Sequence, residues 1–538
     1  VAVGAGLLGS AALIAGLTVL SRAVGFGRWF VFSGAVHQDC TGTAYATANV
    51  LPNVLFEVAA GGALAGAVVP VVAGALAAGR RQDVDRLVSA LLTWCLVVLV
   101  PLAALLALAS GPLSEVFLGG ERACAGGTDL AARMLLVFAP QVPLYGIGVV
   151  LTGVLQAHRR FAWPAVAPLL SSVVVIVSYL GYAGLAGPAR HAEDYLPTPG
   201  AEAVLAGGTT LGVVALSLPL LWPVSRLGVR LRPGLRFPPG QAARVRGLAL
   251  AGVGTLVAQQ IAVLVTMRIA NGVGGTGTWP VLLYVQAVYL LPYAVFAVPL
   301  ATAAFPELSR SAETGDAEGF RRTSSRSTRL VVLVSALGAG SLVAVAPAVQ
   351  ALFGVLEGDT GGSLGLMSLA LGLYAPGLVG WGLVAHVGRA LYASGRGRSA
   401  AQATAAGWAA VVGVSLAVAL VLDATGTSGT RAATIGVGVG NTAGMTLAGA
   451  LLLLALRRVA GQGALQGLGR AGLASAVGAV LAAVAGRAAA DATAPDPGTT
   501  PAGGAAGTAL LAGGVAAVLA VIVFAAVVLV LDRADLVG

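Results

Sequence analysis

The chain has no lysine: all 31 of its basic residues are arginine. Charged residues of either sign fill only 10% of its 538 positions, against roughly a quarter in a soluble domain. Histidine occurs four times and cysteine three times, and aromatic residues make up 6%. So little charge excludes a soluble enzyme and a disordered chain. Four histidines, with no Ser/His/Asp arrangement and no Walker motif, leave catalysis and nucleotide binding little to work with. Cys40, Cys95 and Cys124 form no CxxC and no spaced framework, so no disulfide framework is expected. The formal charge of +10 could suggest nucleic acid. The arginines, however, sit mostly in short gaps between apolar runs, which is the pattern of membrane topology. Arginine without lysine also points to a high-GC bacterial genome. The chain starts at Val1, so a trimmed start is expected. No cleavage site and soluble domain follow the first apolar run, so it does not read as a signal peptide.

What is abundant is apolar surface: 57% hydrophobic residues and a mean hydropathy of +0.91. A spanning helix needs about 20 mostly apolar residues. Fourteen runs qualify: 4–30, 43–78, 87–110, 129–156, 164–186, 201–224, 245–271, 279–305, 329–354, 366–393, 400–422, 432–456, 467–489 and 507–531. Pro52, Pro140, Pro292 and Pro376 interrupt several of them. Such breaks are tolerated in a membrane where neighbouring helices or a wet cavity satisfy the freed backbone groups, so a bundle around a cavity is expected. Alternate loops carry 21 arginines, and the loops between them carry only Arg122, Arg190, Arg431 and Arg487. The positive-inside rule places the rich side, and with it both termini, in the cytoplasm.

An internal repeat accompanies the alternation. Leu51-Pro52 and Arg28 recur as Leu291-Pro292 and Arg268 at an offset of 240. Residues 139–161 match 375–397 at an offset of 236, with six identities in 23 positions. The predicted fold is an all-α integral membrane protein with 14 transmembrane helices: two six-helix lobes around a central cavity, plus two C-terminal helices. The expected divisions are 1–235, 236–460 and 461–538. Six helices per lobe make the repeats parallel, as in one class of transporter.

Ser21-Arg22-x-x-Gly25-x-x-Arg28, Leu51-Pro52-Asn53-x-Leu55, Gly62-Ala63 and Val69-Pro70 resemble the MurJ/MviN family of lipid II flippases. The segment from Leu291-Pro292 to Phe305-Pro306-Glu307-Leu308-Ser309-Arg310 resembles the family's eighth helix and its ending. The resemblance implies the multidrug/oligosaccharidyl-lipid/polysaccharide exporter fold, with two lobes rocking around a cationic cavity. It also implies a groove for the lipid tail on helices 13 and 14. Where the family has a double arginine this chain has Phe56 and Glu57, and the family's glutamate is Gly61. The family's acidic residue before helix 2 falls at Thr43, and its arginine on helix 8 falls near Ala287, beside Gln286.

Arg22, Arg28 and Arg268 are the candidate diphosphate ligands. An intramembrane arginine is costly and normally faces a cavity or a partner, and its planar fork suits a diphosphate. The bland alternative is snorkelling from helix ends. Glu57 is a candidate coupling group or cavity ion-pair partner. Asn53, Gln286, His386 and Arg389 are candidate cavity-lining residues. His37-Gln38-Asp39-Cys40 reads as a polar loop rather than a metal site, and no metal is expected. Gly436-x-Gly438-x-Gly440 reads as close helix packing rather than a phosphate loop.

The expected function is an alternating-access flippase. It would carry a polyprenyl-diphosphate-linked glycan, lipid II foremost, from the inner to the outer leaflet of the bacterial cytoplasmic membrane for peptidoglycan synthesis. It would be a transporter and not an enzyme. No cofactor is expected; an ion gradient or the membrane potential would supply the energy. Expected partners are that lipid, membrane lipid and candidate cell-wall synthesis proteins, with no nucleic acid. Two rival readings are a non-transporting cell-wall scaffold and a drug or cation exporter of the same superfamily.

Overall fold

The computed structural model describes residues 2–58, 63–192, 194–237, 241–358, 361–493 and 502–532; the side chains of 2–15, 63–67, 241–252 and 502–503 lie outside that description. Gly61 and Gly62 therefore fall outside the described residues. Among the described residues every regular element is helical. The chain forms two units, Val1–Gln260 and Ile261–Gly538.

The first unit contains α1 (Ala2–Ala35), α2 (Cys40–Phe56), α3 (Ala63–Ala77), α4 (Arg81–Leu108), α5 (Ser110–Leu118), α6 (Gly127–Phe138), α7 (Gln141–Ala157), α8 (Ala162–Ala186), α9 (Pro199–Ser217) and α10 (Leu221–Arg226). Next comes α11 (Gln241–Ile269), within which the units meet. The second unit continues with α12 (Thr278–Pro292), α13 (Val298–Glu313), α14 (Ala317–Glu357), α15 (Met367–Tyr374), α16 (Gly377–Ala393), α17 (Gly397–Ala424), α18 (Gly429–Ala460), α19 (Leu468–Thr493) and α20 (Ala502–Leu531).

Within the described residues, each of the fourteen apolar runs lies on a helix or on a succession of helices. Among the described residues eleven helices are long and apolar enough to cross a membrane. A twelfth joins them if 364–374 and 377–393, bent by 51°, are one span. The runs 4–30 and 43–78 overlap residues outside the description. Several spans put apolar side chains on their outer face. On α4, for example, Val97, Val98 and Val100 are half exposed, as a lipid-facing surface requires.

The repeat is visible in the helix boundaries. At the offset of 236, the bounds of α7 (141–157) become those of α16 (377–393). Both helices start directly after a proline, Pro140 or Pro376, which cannot donate a backbone bond but suits a helix start. Both end in the same closure: Arg160 N–H donates to Leu155 O and Arg396 N–H to Leu391 O, each at 2.8 Å. Pro52 and Pro292 each precede a π-turn, at 57–58 and 293–297. A proline in a helix interior removes a donor, and a wider turn absorbs the mismatch.

In the first unit α8 packs between α1 and α9, and α7 packs on α3 and α4 around Leu87, Leu91, Leu151 and Val154. In the second unit the 41-residue α14 is a spine against which α16, α19 and α20 pack. Leu333, Ala344, Ala482 and Phe524 fill that contact.

The cysteines differ from expectation. Cys40 and Cys124 form a disulfide with Cα atoms 5.8 Å apart; only Cys95 is free, and it is buried. The bridge joins residues 84 apart in sequence, so linear spacing did not reveal it. The signal was topological, because both cysteines lie in arginine-poor connections on the same side. The bridge also uses one member of His37-Gln38-Asp39-Cys40. Asp39 is used as well, since its carboxylate accepts the Gly42 N–H at 3.0 Å as the α2 cap.

His37 closes the same end of the first unit. It is buried, has φ of 66°, and its ring lies 4.5 Å from that of His191. Burial, then the nearby His191 and Arg190, lower its imidazole pKa to about 4. A histidine held neutral when folded stabilises above its ordinary pKa and loses that contribution as pH falls. The loss begins near 6.5 and continues through about 4. Acidification across that window is expected to weaken the end of the unit by on the order of 2–3 kcal/mol. Asparagine tolerates positive φ, so His37→Asn should flatten the effect. Hydrogen exchange of residues 36–42 against pH checks this; an unchanged pH profile in the variant would refute it.

Candidate substrate-binding site

The expected site residues fall in both units. In the first unit, Arg22 is exposed on α1 and Arg28, a turn and a half further on, is half-buried. Arg28 lies near enough to Tyr45, Tyr145 and Tyr179 to act on all three electrostatically. Its Cζ is 5.8 Å from the Trp29 ring centre. Among the described residues no carboxylate pairs with Arg22 or Arg28.

The surroundings of Arg28 are hydroxyl-rich. The Tyr45 hydroxyl is 2.9 Å from that of Tyr179 and 2.9 Å from the Thr209 hydroxyl, which itself donates to Leu205 O at 2.8 Å. Asn53 donates to Asn49 O at 3.0 Å and is hydrogen-bonded to Tyr145. The Tyr145 ring stacks at a tilt on Phe56, with centres 5.0 Å apart. Phe56 and Tyr145, with Thr152 and Gln156, line a cavity of about 420 Å³. Asn53 and Phe56 stand on the last turn of α2, just after Pro52. Phe56, which stands where the family has arginine, has become an aromatic wall. Sequence reasoning did not find the tyrosines, because a tyrosine in an apolar run reads as core.

Glu57 is half-buried just after α2 and is in no ion pair among the described residues. Its backbone N–H is bonded to Asn53 O and Val54 O.

In the second unit, Arg268 is exposed in the last turn of α11, just before the π-turn Ala270–Gly274. Its guanidinium lies over Gly272, where any β-carbon would collide with it. Glycine is therefore what lets the charge lie against the backbone there. Gln286 is exposed on α12. Arg389 is half-buried and donates to Ala385 O at 3.0 Å; it acts electrostatically on Tyr293, whose ring is 5.5 Å from Trp381. Trp381 and Tyr293 are the repeat positions of Tyr145 and Asn53, and each unit places an aromatic contact shortly after its helix proline, Tyr145–Phe56 in one and Trp381–Tyr293 in the other.

His386 departs from expectation. It is fully buried and does not line a cavity of its unit. Its Nε2 is 2.9 Å from the Ser327 hydroxyl of α14, a helix–helix contact, while its buried Nδ1 has no partner among the described residues. Gly436 and Gly440 do pack closely. A β-carbon at either would come within 2.8 Å of the α17 backbone, while Gly438 faces Leu373 of α15.

Comparison with known proteins agrees with this architecture. The family model described as lipid II flippase MurJ matches residues 34–490. A probable lipid II flippase MurJ of Rhizobium meliloti is 27% identical over 356 residues, 64% of this chain and 62% of that protein, short of two thirds of its length. The lipid II flippase MurJ of Burkholderia cenocepacia is 27% identical over 392 residues, 71% of this chain and 72% of that one. Among solved structures, a lipid II flippase MurJ in an inward closed conformation superposes with a TM-score of 0.73 at 17% identity. That match covers 98% of this chain and 100% of the other. An inward-facing multidrug resistance MATE family transporter of the MOP superfamily superposes with a TM-score of 0.65 at 16% identity, over 84% and 98%. The family model spans most of the chain and the fold agrees from end to end: this chain belongs to the MurJ lipid II flippase family.

Proposed function

We propose that the chain is a flippase that carries lipid II, a polyprenyl-diphosphate-linked glycan, from the inner to the outer leaflet of the bacterial cytoplasmic membrane. It would act as a transporter rather than as an enzyme. The observation that carries this reading is Arg28: a half-buried guanidinium on an apolar helix, acting electrostatically on Tyr45, Tyr145 and Tyr179, with no carboxylate partner among the described residues. A charge held there without a counter-ion is expensive unless an anion arrives to share the site. A diphosphate fits that need, because guanidinium forks donate paired hydrogen bonds to phosphate oxygens. Arg22 supplies a second positive charge on the same helix; Arg268 is the repeat counterpart of Arg28 in the second unit. Asn53 and Tyr145 offer the amide and hydroxyl that a sugar would use. A drug-cation exporter would need acidic groups where these arginines stand. The test is outer-leaflet exposure of lipid II in cells depleted of their own flippase and supplied with this chain; no exposure would end the reading.

The arginine-rich ends would face the cytoplasm, together with both termini. The Cys40–Cys124 bridge supports this orientation, because it lies at the arginine-poor end, and disulfides persist outside the reducing cytoplasm.

Energy would come from an ion gradient or the membrane potential, with Glu57 as the proton-accepting group. Under this reading Glu57→Gln should abolish the pH dependence of transport while leaving folding intact. Liposome assays at several pH values decide the matter, and a variant with the parent's pH profile removes Glu57 from coupling.

A further inference from the structure

The first unit contains a second cationic feature that lies apart from Arg28. After α10 the chain runs as an extended tether, residues 228–237, along one face of α4. Arg230 N–H donates to Asp85 Oδ1 at 3.1 Å. The Ser89 hydroxyl accepts the Arg232 N–H at 3.0 Å and donates to Arg230 O at 3.4 Å. Gly234 N–H donates to Thr93 Oγ1 at 3.1 Å, and the Trp94 indole N–H donates to Leu235 O at 2.9 Å. The register has a simple origin. Four helical residues rise about 6.0 Å and two extended residues about 6.6 Å, so helix positions 85, 89 and 93 match tether positions 230, 232 and 234. The sequence spends Asp, Ser and Thr at that spacing to hold a segment that would otherwise be a loose linker.

The tether and α4 enclose a groove of about 950 Å³, lined by Arg86, Arg230, Arg232 and Arg236. All four arginines are exposed, and none is in an ion pair among the described residues. The carboxylate in the lining, Asp85, is engaged by the tether backbone. Polarity changes along the groove. Asp85 and Arg86 lie near the start of α4, whereas Trp94 is about 13 Å further along the helix axis. There Trp94 is 43% exposed and Leu235 53%, next to the outward-facing Val97 and Val98. One end, with Arg86, Arg230 and Arg232, is therefore cationic and open to water, while Arg236 follows Leu235 at the other. The other has an indole and a leucine at the level where the helix turns apolar, the usual setting of an interfacial tryptophan.

We propose that this groove binds the headgroup of an anionic phospholipid of the arginine-side leaflet, with the phosphate among Arg86, Arg230 and Arg232 and the upper acyl chains against Trp94 and Leu235. A free phosphate offers the same anionic oxygens but has no use for the apolar end, which is why the lipid is the favoured occupant. The arrangement is independent of what the chain transports.

The test uses the full-length protein in phosphatidylcholine bilayers containing a small fraction of phosphatidylglycerol with brominated acyl chains. Bromine quenches tryptophan at contact, and comparison with Trp94→Phe isolates the signal of Trp94. Brominated phosphatidylglycerol should quench Trp94 more efficiently than brominated phosphatidylcholine. Arg86→Gln, Arg230→Gln, Arg232→Gln and Arg236→Gln together should erase that preference. A control with Arg396, Arg398, Arg457 and Arg458 all changed to Gln, which removes the same charge elsewhere, should keep it. If the fourfold variant does not purify as a monodisperse protein, Arg230→Gln and Arg232→Gln singly carry the test. Each should lower the preference by about fivefold, the factor for one interfacial arginine. Excess inorganic phosphate should leave the quenching unchanged; if it abolishes the preference, the groove is a soluble-anion site and the proposal fails. Equal quenching by both lipids in the parent protein overturns it. So does displacement of phosphatidylglycerol by sparing amounts of a polyprenyl diphosphate, which would assign the groove to the substrate.

Discussion

Arg28→Ala should eliminate lipid II flipping while the protein still folds, inserts and accumulates. The substrate's diphosphate must leave water within a helical bundle, and doing so without partners costs several kcal/mol or more. Charge-assisted bonds offset roughly 1.5–3 kcal/mol each, so losing a two-pronged donor should slow transport by about a hundredfold or more. The effect on stability should be small, because Arg28 has no ion-pair partner among the described residues whose charge would be stranded by its removal. Arg28→Lys keeps the charge but not the planar fork, so partial activity at best is expected. Arg22→Ala and Arg268→Ala should weaken transport in the same direction. Arg322→Ala, exposed in the second turn of α14, should not. Exposure of lipid II in a flippase-depleted strain, normalised to protein in the membrane, measures all of them. Full transport by an Arg22→Ala, Arg28→Ala double variant would remove the arginines from substrate binding and bring a scaffold role forward.

The sequence carried the helices and the family because both rest on local signals. Long apolar runs can only be helices in lipid, and arginine alternation counts the loops. The prolines marked the helix starts after Pro140 and Pro376 and the π-turns that follow Pro52 and Pro292, and the motifs around Arg28 and Pro52 marked the family. What was not legible depends on neighbours distant in sequence. Cys40 and Cys124 meet only once α2 and the connection before α6 share an end of the unit. Tyr45, Tyr145 and Tyr179 come from three different helices, and each alone looks like core. His386 looked like a cavity group, and only its Ser327 partner on α14 shows it to be a packing contact. The linker after α10 looked like basic topology signal, although its alternation of backbone donors matches a four-residue spacing on α4. In each case the residue type was visible and its partner was not.

Replacing Gly440 by leucine should separate α17 from α18 and cause the largest stability loss of any single change considered. The contact is made backbone to backbone. A β-carbon at Gly440 would lie 2.8 Å from Ser415 N and 2.9 Å from Ser415 Cα, and one at Gly436 would lie 2.8 Å from both Ala419 N and Ser415 O. Gly407, on the other helix, would place its own β-carbon 2.8 Å from Gly444 O. Small residues of this kind let membrane helices approach until dispersion contacts hold them, since lipid supplies no hydrophobic drive between helices. A flexible side chain facing a new methyl group can move aside, but the α17 backbone cannot without shifting the whole helix. Overpacking of that kind should cost about 3 kcal/mol or more. Gly413→Leu is the matched control: it lies on α17 with nothing within 4 Å of its β-carbon position. Thermal unfolding in detergent should show a much lower transition for Gly440→Leu, and for Gly436→Leu, than for Gly413→Leu. Equal melting of the three would mean that α17 and α18 are held by something other than this glycine face.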